Sequence, residues 1–188
     1  LNCEFARLPD EALLHISGPD TLTFLQGQTT CDTRALDDAS ALPGAYCTPQ
    51  GRVVCDFLLL PLATDHVALR MRRDIAERAA ATFGKYIVFS KATLETGRRD
   101  WEVSCCFGED SGKVLGALCG ALPSARFGAA SSPGLLVVQV DEAGQQFECY
   151  VDRSVHPELP QELSSLERHG GAERGRALQG ASGFGGLE

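Results

Sequence analysis

The chain has 188 residues, with 25 Asp and Glu against 17 Lys and Arg and a formal net charge of −8. At 44% hydrophobic and 22% charged it has the composition of one globular domain or two small ones. Its longest apolar run, Phe57–Leu62, is far short of the roughly 18 residues a membrane-spanning helix needs. The acidic balance argues against binding nucleic acid through net charge, which takes clustered Lys and Arg.

In chain order, residues 12–17 read as a short strand, and Gly18-Pro19-Asp20 then opens a helix with Leu22 and Leu25 on one face that stops near Gly27. The polar loop 28–33 and a turn-rich stretch over 37–44 follow. Pro49-Gln50-Gly51 launches a strand at Val53–Leu60, and Val67, Leu69 and Met71 share one face of the next. Asp74 to Glu77 resembles a capping box opening a helix along Ile75, Ala79 and Phe83, with Gly84 just beyond its end. Residues 87–95 read as extended, and 101–107 as a half-buried strand.

Ser111 reads as the cap of a helix bearing Val114, Leu115 and Leu118, and a hairpin pairs 135–140 with 147–151. A last helix from Pro157 carries Leu159, Leu163 and Leu166 to Gly170. The pattern predicts an α+β fold of antiparallel sheets with helices and a ferredoxin-like middle. Glycine dominates from 171 to 188, where a loop or disorder is expected.

The motifs that carry chemistry on other chains are absent or imperfect. Gly108-Glu-Asp-Ser-Gly112-Lys113-Val114 is one residue short of a phosphate-binding loop and puts acids where phosphate would lie, so it reads as a capped strand-to-helix turn. Ser182 is not in a nucleophile elbow. His15, His66, His156 and His169 do not pair with neighbours at metal spacing, and no metal is expected. His15 reads as a satisfied residue on a half-buried strand, His66 and His156 as surface residues. The eight cysteines lack C-x-x-C and read as small hydrophobes in a reducing, cytoplasmic compartment, with one of Cys105 and Cys106 in the core. Arg70, Arg72, Arg73 and Lys85 concentrate positive charge, either as a solvated strand edge and helix start or as a site for a carboxylate.

Three separated blocks occur in order: Phe24-Leu-Gln-Gly-Gln-Thr-Thr-Cys-Asp32, Gly51-Arg-Val-Val-Cys-Asp56 and Lys85-Tyr-Ile-Val-Phe-Ser-Lys91. With the Gly18-Pro-Asp20 helix start, they resemble the YgfZ family of folate-binding proteins, related to the aminomethyltransferase of the glycine cleavage system. The resemblance covers roughly residues 8–168. It implies a discontinuous folate-binding domain (1–45 and 153–170) holding an inserted ferredoxin-like domain (46–152). It also implies tetrahydrofolate as cofactor, and an accessory role in assembly or repair of iron–sulfur client proteins that supports tRNA modification indirectly. Neither direct nucleic-acid binding nor a membrane partner is expected.

Carried onto this sequence, the resemblance points to Asp56 as a pterin contact and to Arg52 or Arg72 for a glutamate carboxylate. Tyr86 would stack on an aromatic ring, and a channel-lining loop would present Gln26, Gln28, Thr30 and Asp32. By its chemistry alone, Asp56 either fixes a pterin or sits at the solvent face of its strand. The family's K-G-C-Y-x-G-Q-E motif and C-terminal barrel are absent. With Leu1 first and Met71 the only methionine, the sequence reads as a fragment or a reduced relative. The aminomethyltransferases carry adjacent acids where this chain has Cys55-Asp56, so a complete catalytic centre is not expected. A folate-dependent aminomethyltransferase-like enzyme and a docking scaffold without folate are the competing readings.

Overall fold

The alternation at residues 67–71 and 101–107 builds strands of two antiparallel sheets. A computed structural model describes residues 1–167 together with 173 and 177. It divides into an inserted unit, Asp10–Arg98, and a split unit, Leu1–Pro9 with Arg99–Glu188. The expected boundaries, 1–45 with 153–170 and 46–152, cut across both units. A cut after residue 45 would fall inside a strand that pairs residue for residue with its neighbour.

The inserted unit runs β2 (Glu11–Ser17), α1 (Thr21–Gln28), β3 (Leu42–Cys47), β4 (Val53–Ala63), β5 (His66–Arg72), α2 (Arg73–Ile87) and β6 (Thr93–Glu95). Its sheet order is β3-β4-β5-β2-β6. Without the edge strand β3 this is the βαββαβ ferredoxin-like arrangement.

The split unit contains β1 (Glu4–Arg7), β7 (Trp101–Phe107), α3 (Ser111–Cys119), β8 (Ala129–Ser132), β9 (Leu135–Gln139), β10 (Gln146–Asp152) and α4 (Gln161–Ser164). Its order, β1-β7-β10-β9-β8, is the same arrangement permuted, because β1 takes the place that β6 takes in the other sheet. The expectation of antiparallel α+β sheets is therefore met, with the ferredoxin-like pattern present twice.

The repetition extends to single atoms. Gly18 and Gly108 both have φ of 125°. A Cβ on Gly18 would lie 2.4 Å from Lys91 O, and one on Gly108 2.3 Å from Asn2 O, so both turns demand glycine. Asp20 Oδ2 accepts the backbone N–H of Lys91, and Asp110 Oδ2 that of Asn2, each at 2.7 Å. The segment before the fourth strand is thus tied to the start of the first helix in each unit. The sequence 108–114 is this turn, not a phosphate loop.

In the inserted unit, Cys55, Phe57 and Leu59 of β4 join Leu14, Ile16, Leu69 and Met71 beneath Phe24, Leu25, Ala79, Phe83 and Ile87 of the helices. Each fully buried Leu or Phe contributes about 1.5–3 kcal/mol. In the split unit the corresponding layer holds Cys3, Phe5, Cys106, Leu115, Val137, Phe147, Cys149 and Leu163.

Several boundaries differ from expectation for local reasons. Phe24, not Leu22, is the buried partner of Leu25 in α1, and Leu22 is 37% exposed. Arg72 rather than Asp74 precedes α2, which runs through Gly84 to Ile87, so only 93–95 of the expected extended stretch is strand. Asp110 precedes α3, and the Ser111 hydroxyl instead donates to the Gly108 carbonyl at 2.6 Å. The last helix shrinks to α4 because Pro160 lacks the N–H that would continue it backwards. The expected helix end at Gly170, His169, Ser182 and the glycine-rich tail 171–188 lie outside the described residues. Among the described residues no helix is long and apolar enough to cross a membrane.

Candidate functional site

A strand points successive side chains to opposite faces, so the helices over Cys55 and Phe57 leave Asp56 on the other side of the β4 sheet. That face carries a polar set. Leu58 pairs with Arg70 and Arg70 with Leu13, which places Asp56, Arg70, Arg72, Glu11, His15 and His66 on it. Asp56 is half-buried and sits opposite Ala45 of β3.

Ala45 links Asp56 to the polar loop. Thr30 N donates to Ala45 O at 2.9 Å, and Ala45 N donates to Thr30 Oγ1 at 2.9 Å. The loop is closed on itself. Thr33 N donates to Gln26 Oε1 at 2.8 Å, and Arg34 donates from Nε and Nη2 to the two Asp32 oxygens at 2.7 and 3.0 Å. The Arg34 guanidinium holds the Asp32 carboxyl below its usual range. Gln28 is half-buried at the end of α1.

Arg72 is exposed and donates to Asp74 Oδ2 at 2.7 Å. Arg52 is exposed in the β3–β4 turn, where Thr48 N donates to its carbonyl at 2.8 Å. Tyr86 is 47% exposed on α2. The structure therefore brings Asp56 and Arg72 to one face of the sheet, with Thr30 hydrogen-bonded to Ala45 of the edge strand β3. Tyr86 belongs to the helix side, and Gln26 and Asp32 point their polar atoms into the loop.

A carboxylate and a guanidinium on one sheet face offer an acceptor for ring N–H groups and a donor fork for a carboxylate. An acceptor and a donor fork of these types fit a heterocycle that bears ring N–H groups and a carboxylate. The neighbouring position 55 faces the core: Cys55 is 2% exposed, and burial pushes its thiol up to about 11. Adjacent acids at 55 and 56 could not share a face, so the cysteine removes nothing from the side where Asp56 lies.

Two polar pairs escape sequence reasoning. Arg70, expected at a solvated edge or a ligand site, is buried and 3.4 Å from Glu11 Oε2. His15 is 1% exposed with Nδ1 3.0 Å from Nε2 of His66, which is half-buried rather than on the surface. The partners come from different strands, so only the β2–β5 register reveals them. His156 is likewise half-buried, 2.7 Å from Pro133 O. Both Cys105 and Cys106 are buried, at 5% and 0% exposure. A cleft of about 370 Å³ in the split unit, lined by Gly112, Leu122, Gln139 and Phe147 among others, contains none of the sequence-predicted residues.

The fold has known counterparts. It superposes on the glycine cleavage system aminomethyltransferase T of Bartonella henselae with a TM-score of 0.71 at 16% identity, covering 89% of this chain and 47% of that one. A chain of the heterotetrameric sarcosine oxidase of Corynebacterium sp. U-96 matches with a TM-score of 0.55 at 13% identity, covering 89% of this chain and 86% of that one. The architecture is thus that of the aminomethyltransferase T class.

In sequence, the tRNA-modifying protein YgfZ of Klebsiella pneumoniae is 30% identical over 145 residues, 77% of this chain and 44% of that protein. That of Sodalis glossinidius is 33% identical over 118 residues, 63% and 35% of the two chains. The chain is a relative of the YgfZ family. It spans less than half the length of these curated relatives, and no family model matches it.

Proposed function

We propose that this chain forms part of a cytoplasmic, tetrahydrofolate-binding accessory protein that serves iron–sulfur protein assembly or repair and so supports tRNA modification indirectly. The observation that carries the reading is the likeness to the YgfZ proteins along 145 residues, on a fold of the aminomethyltransferase T class. The sheet face bearing Asp56 and Arg72 supports it, with Asp56 accepting from the pterin ring and Arg72 or Arg52 binding the glutamate carboxylate. In this reading Thr30, held to Ala45, and Gln28 belong to the loop that would meet the ligand. Tyr86 supplies a stacking surface on the helix side, for a part of the ligand or partner reaching past the sheet edge.

Isothermal titration of the full natural chain with 5-formyltetrahydrofolate tests the reading. Saturable heat that falls at least tenfold in affinity for Asp56→Ala is expected, and absence of heat would sink it.

A second reading, folate-dependent aminomethyl transfer, is favoured by the fold likeness itself. Release of a one-carbon unit from a methylamine donor to tetrahydrofolate, lost in Asp56→Asn, would establish it. Binding without turnover leaves the accessory reading in place.

A further inference from the structure

We propose that Cys3 and Cys106 are a reversible disulfide site, closed by exchange with a small disulfide of the glutathione class, that staples β1 to β7. Their Sγ atoms lie 3.2 Å apart, and both side chains are buried in the same core layer with Phe5, Leu115 and Phe147. That separation is inside the contact distance of two unbonded sulfurs and about 1.2 Å longer than an S–S bond.

The backbone on either side is already fixed. Phe5 is the register partner of Cys106 and Glu4 that of Phe107. Asn2 N donates to Asp110 Oδ2 at 2.7 Å, and Asp110 N donates to Asn2 O at 3.0 Å. Closure brings two sulfurs that already touch about 1.2 Å closer, beside a register that holds β1 on β7.

The pair is chemically unequal. The hydrogen bond from Cys106 lowers the Cys3 thiol below its ordinary value, and the same bond with burial keeps Cys106 protonated. The exposure of the two runs the same way, 5% for Cys3 and 0% for Cys106, so Cys3 is the attacking sulfur and Cys106 the resolving one. Cys3 comes just after the exposed Asn2, and its sulfur is the one the oxidant reaches.

The Cys3 thiolate attacks one sulfur of oxidised glutathione, breaking its S–S bond. One glutathione thiolate leaves and is protonated, and a mixed disulfide remains on Cys3. The Cys106 sulfur, giving up its proton, then attacks the Cys3 sulfur and expels the second glutathione. Two protein thiols are oxidised to one disulfide and one glutathione disulfide is reduced to two thiols.

The consequence follows from chain order. The loop closed between residues 3 and 106 contains the whole inserted unit, Asp10–Arg98. A cross-link over so long a loop restricts the unfolded chain strongly and pins the one strand of the split unit that lies before the insertion.

The test equilibrates the protein with defined mixtures of reduced and oxidised glutathione, blocks free thiols with N-ethylmaleimide, and maps peptides by mass spectrometry. The expected product is a dithiothreitol-sensitive peptide joining Cys3 to Cys106, with a melting temperature raised by about 10 °C. Cys106→Ser is expected to stop at a Cys3–glutathione adduct, and Cys3→Ser to form neither adduct nor cross-link. Free thiols at both positions in excess oxidised glutathione would overturn the proposal. So would a stable adduct on wild-type Cys3, or linkage to another cysteine. The wild-type map decides the matter even where a serine variant folds poorly.

Discussion

Asp20 Oδ2 accepts the backbone N–H of Lys91 at 2.7 Å, and Lys91 O in turn accepts the N–H of Asp20 at 3.3 Å. This two-way clamp joins the start of α1 to the segment entering β6, and Asp110 repeats it with Asn2. A charge-assisted hydrogen bond to backbone contributes about 1.5–3 kcal/mol. Asp20→Ala and Asp110→Ala should each lower stability by that amount in urea melts. Asn at either position should recover part of the loss, and amide exchange should show early opening of Lys91 or Asn2 respectively. Gly18→Ala should cost about 3 kcal/mol, since it adds backbone strain to the close approach of Lys91 O.

The buried pair of Arg70 and Glu11 predicts an asymmetric response. Removing the guanidinium in Arg70→Met leaves a buried carboxylate and should cost about 3–5 kcal/mol by chemical denaturation. Arg72→Met, at an exposed pair with Asp74, should cost less than about 1 kcal/mol.

Asp32 provides a pH signature. Its folded-state pKa lies below 3.8 because Arg34 stabilises the carboxylate. The interaction contributes above the unfolded value and is lost as pH falls through the folded one. NMR titration of the Asp32 carboxyl should give a midpoint below 3.8 in the native chain and a return towards it in Arg34→Gln.

Cys55→Asp would restore adjacent acids in the manner of the aminomethyltransferases. It places the new carboxylate under α2 with Phe57 and Phe83, away from the side of Asp56. The variant should lose about 3–5 kcal/mol of stability and gain no folate affinity, as melts and titration calorimetry would read.

Much of this was legible from residue order where chemistry is local. The apolar run at Val53–Leu60, the alternation at Trp101–Phe107 and the glycine–acid turns at 18–20 and 108–110 all name their own conformations. Strand β1 was not legible, because Glu4 and Arg7 enclose only two apolar residues and its partner β7 follows a whole inserted unit. The leucines at 159, 163 and 166 have the spacing of a longer helix, but they pack on the core from a chain that is helical only at 161–164. Asp56 and Arg72 could be singled out by chemistry and resemblance. Their common face, the separation of Tyr86 from it and the burial of Arg70 depend on sheet register.

The site is tested most directly by following backbone amide shifts of the isotope-labelled protein during titration with 5-formyltetrahydrofolate. The account predicts saturable shifts centred on Thr30, Ala45, Asp56 and Arg72, abolished in Asp56→Ala. Shifts confined to the cleft at Gly112, Gln139 and Phe147, or no shifts at saturating ligand, would contradict it.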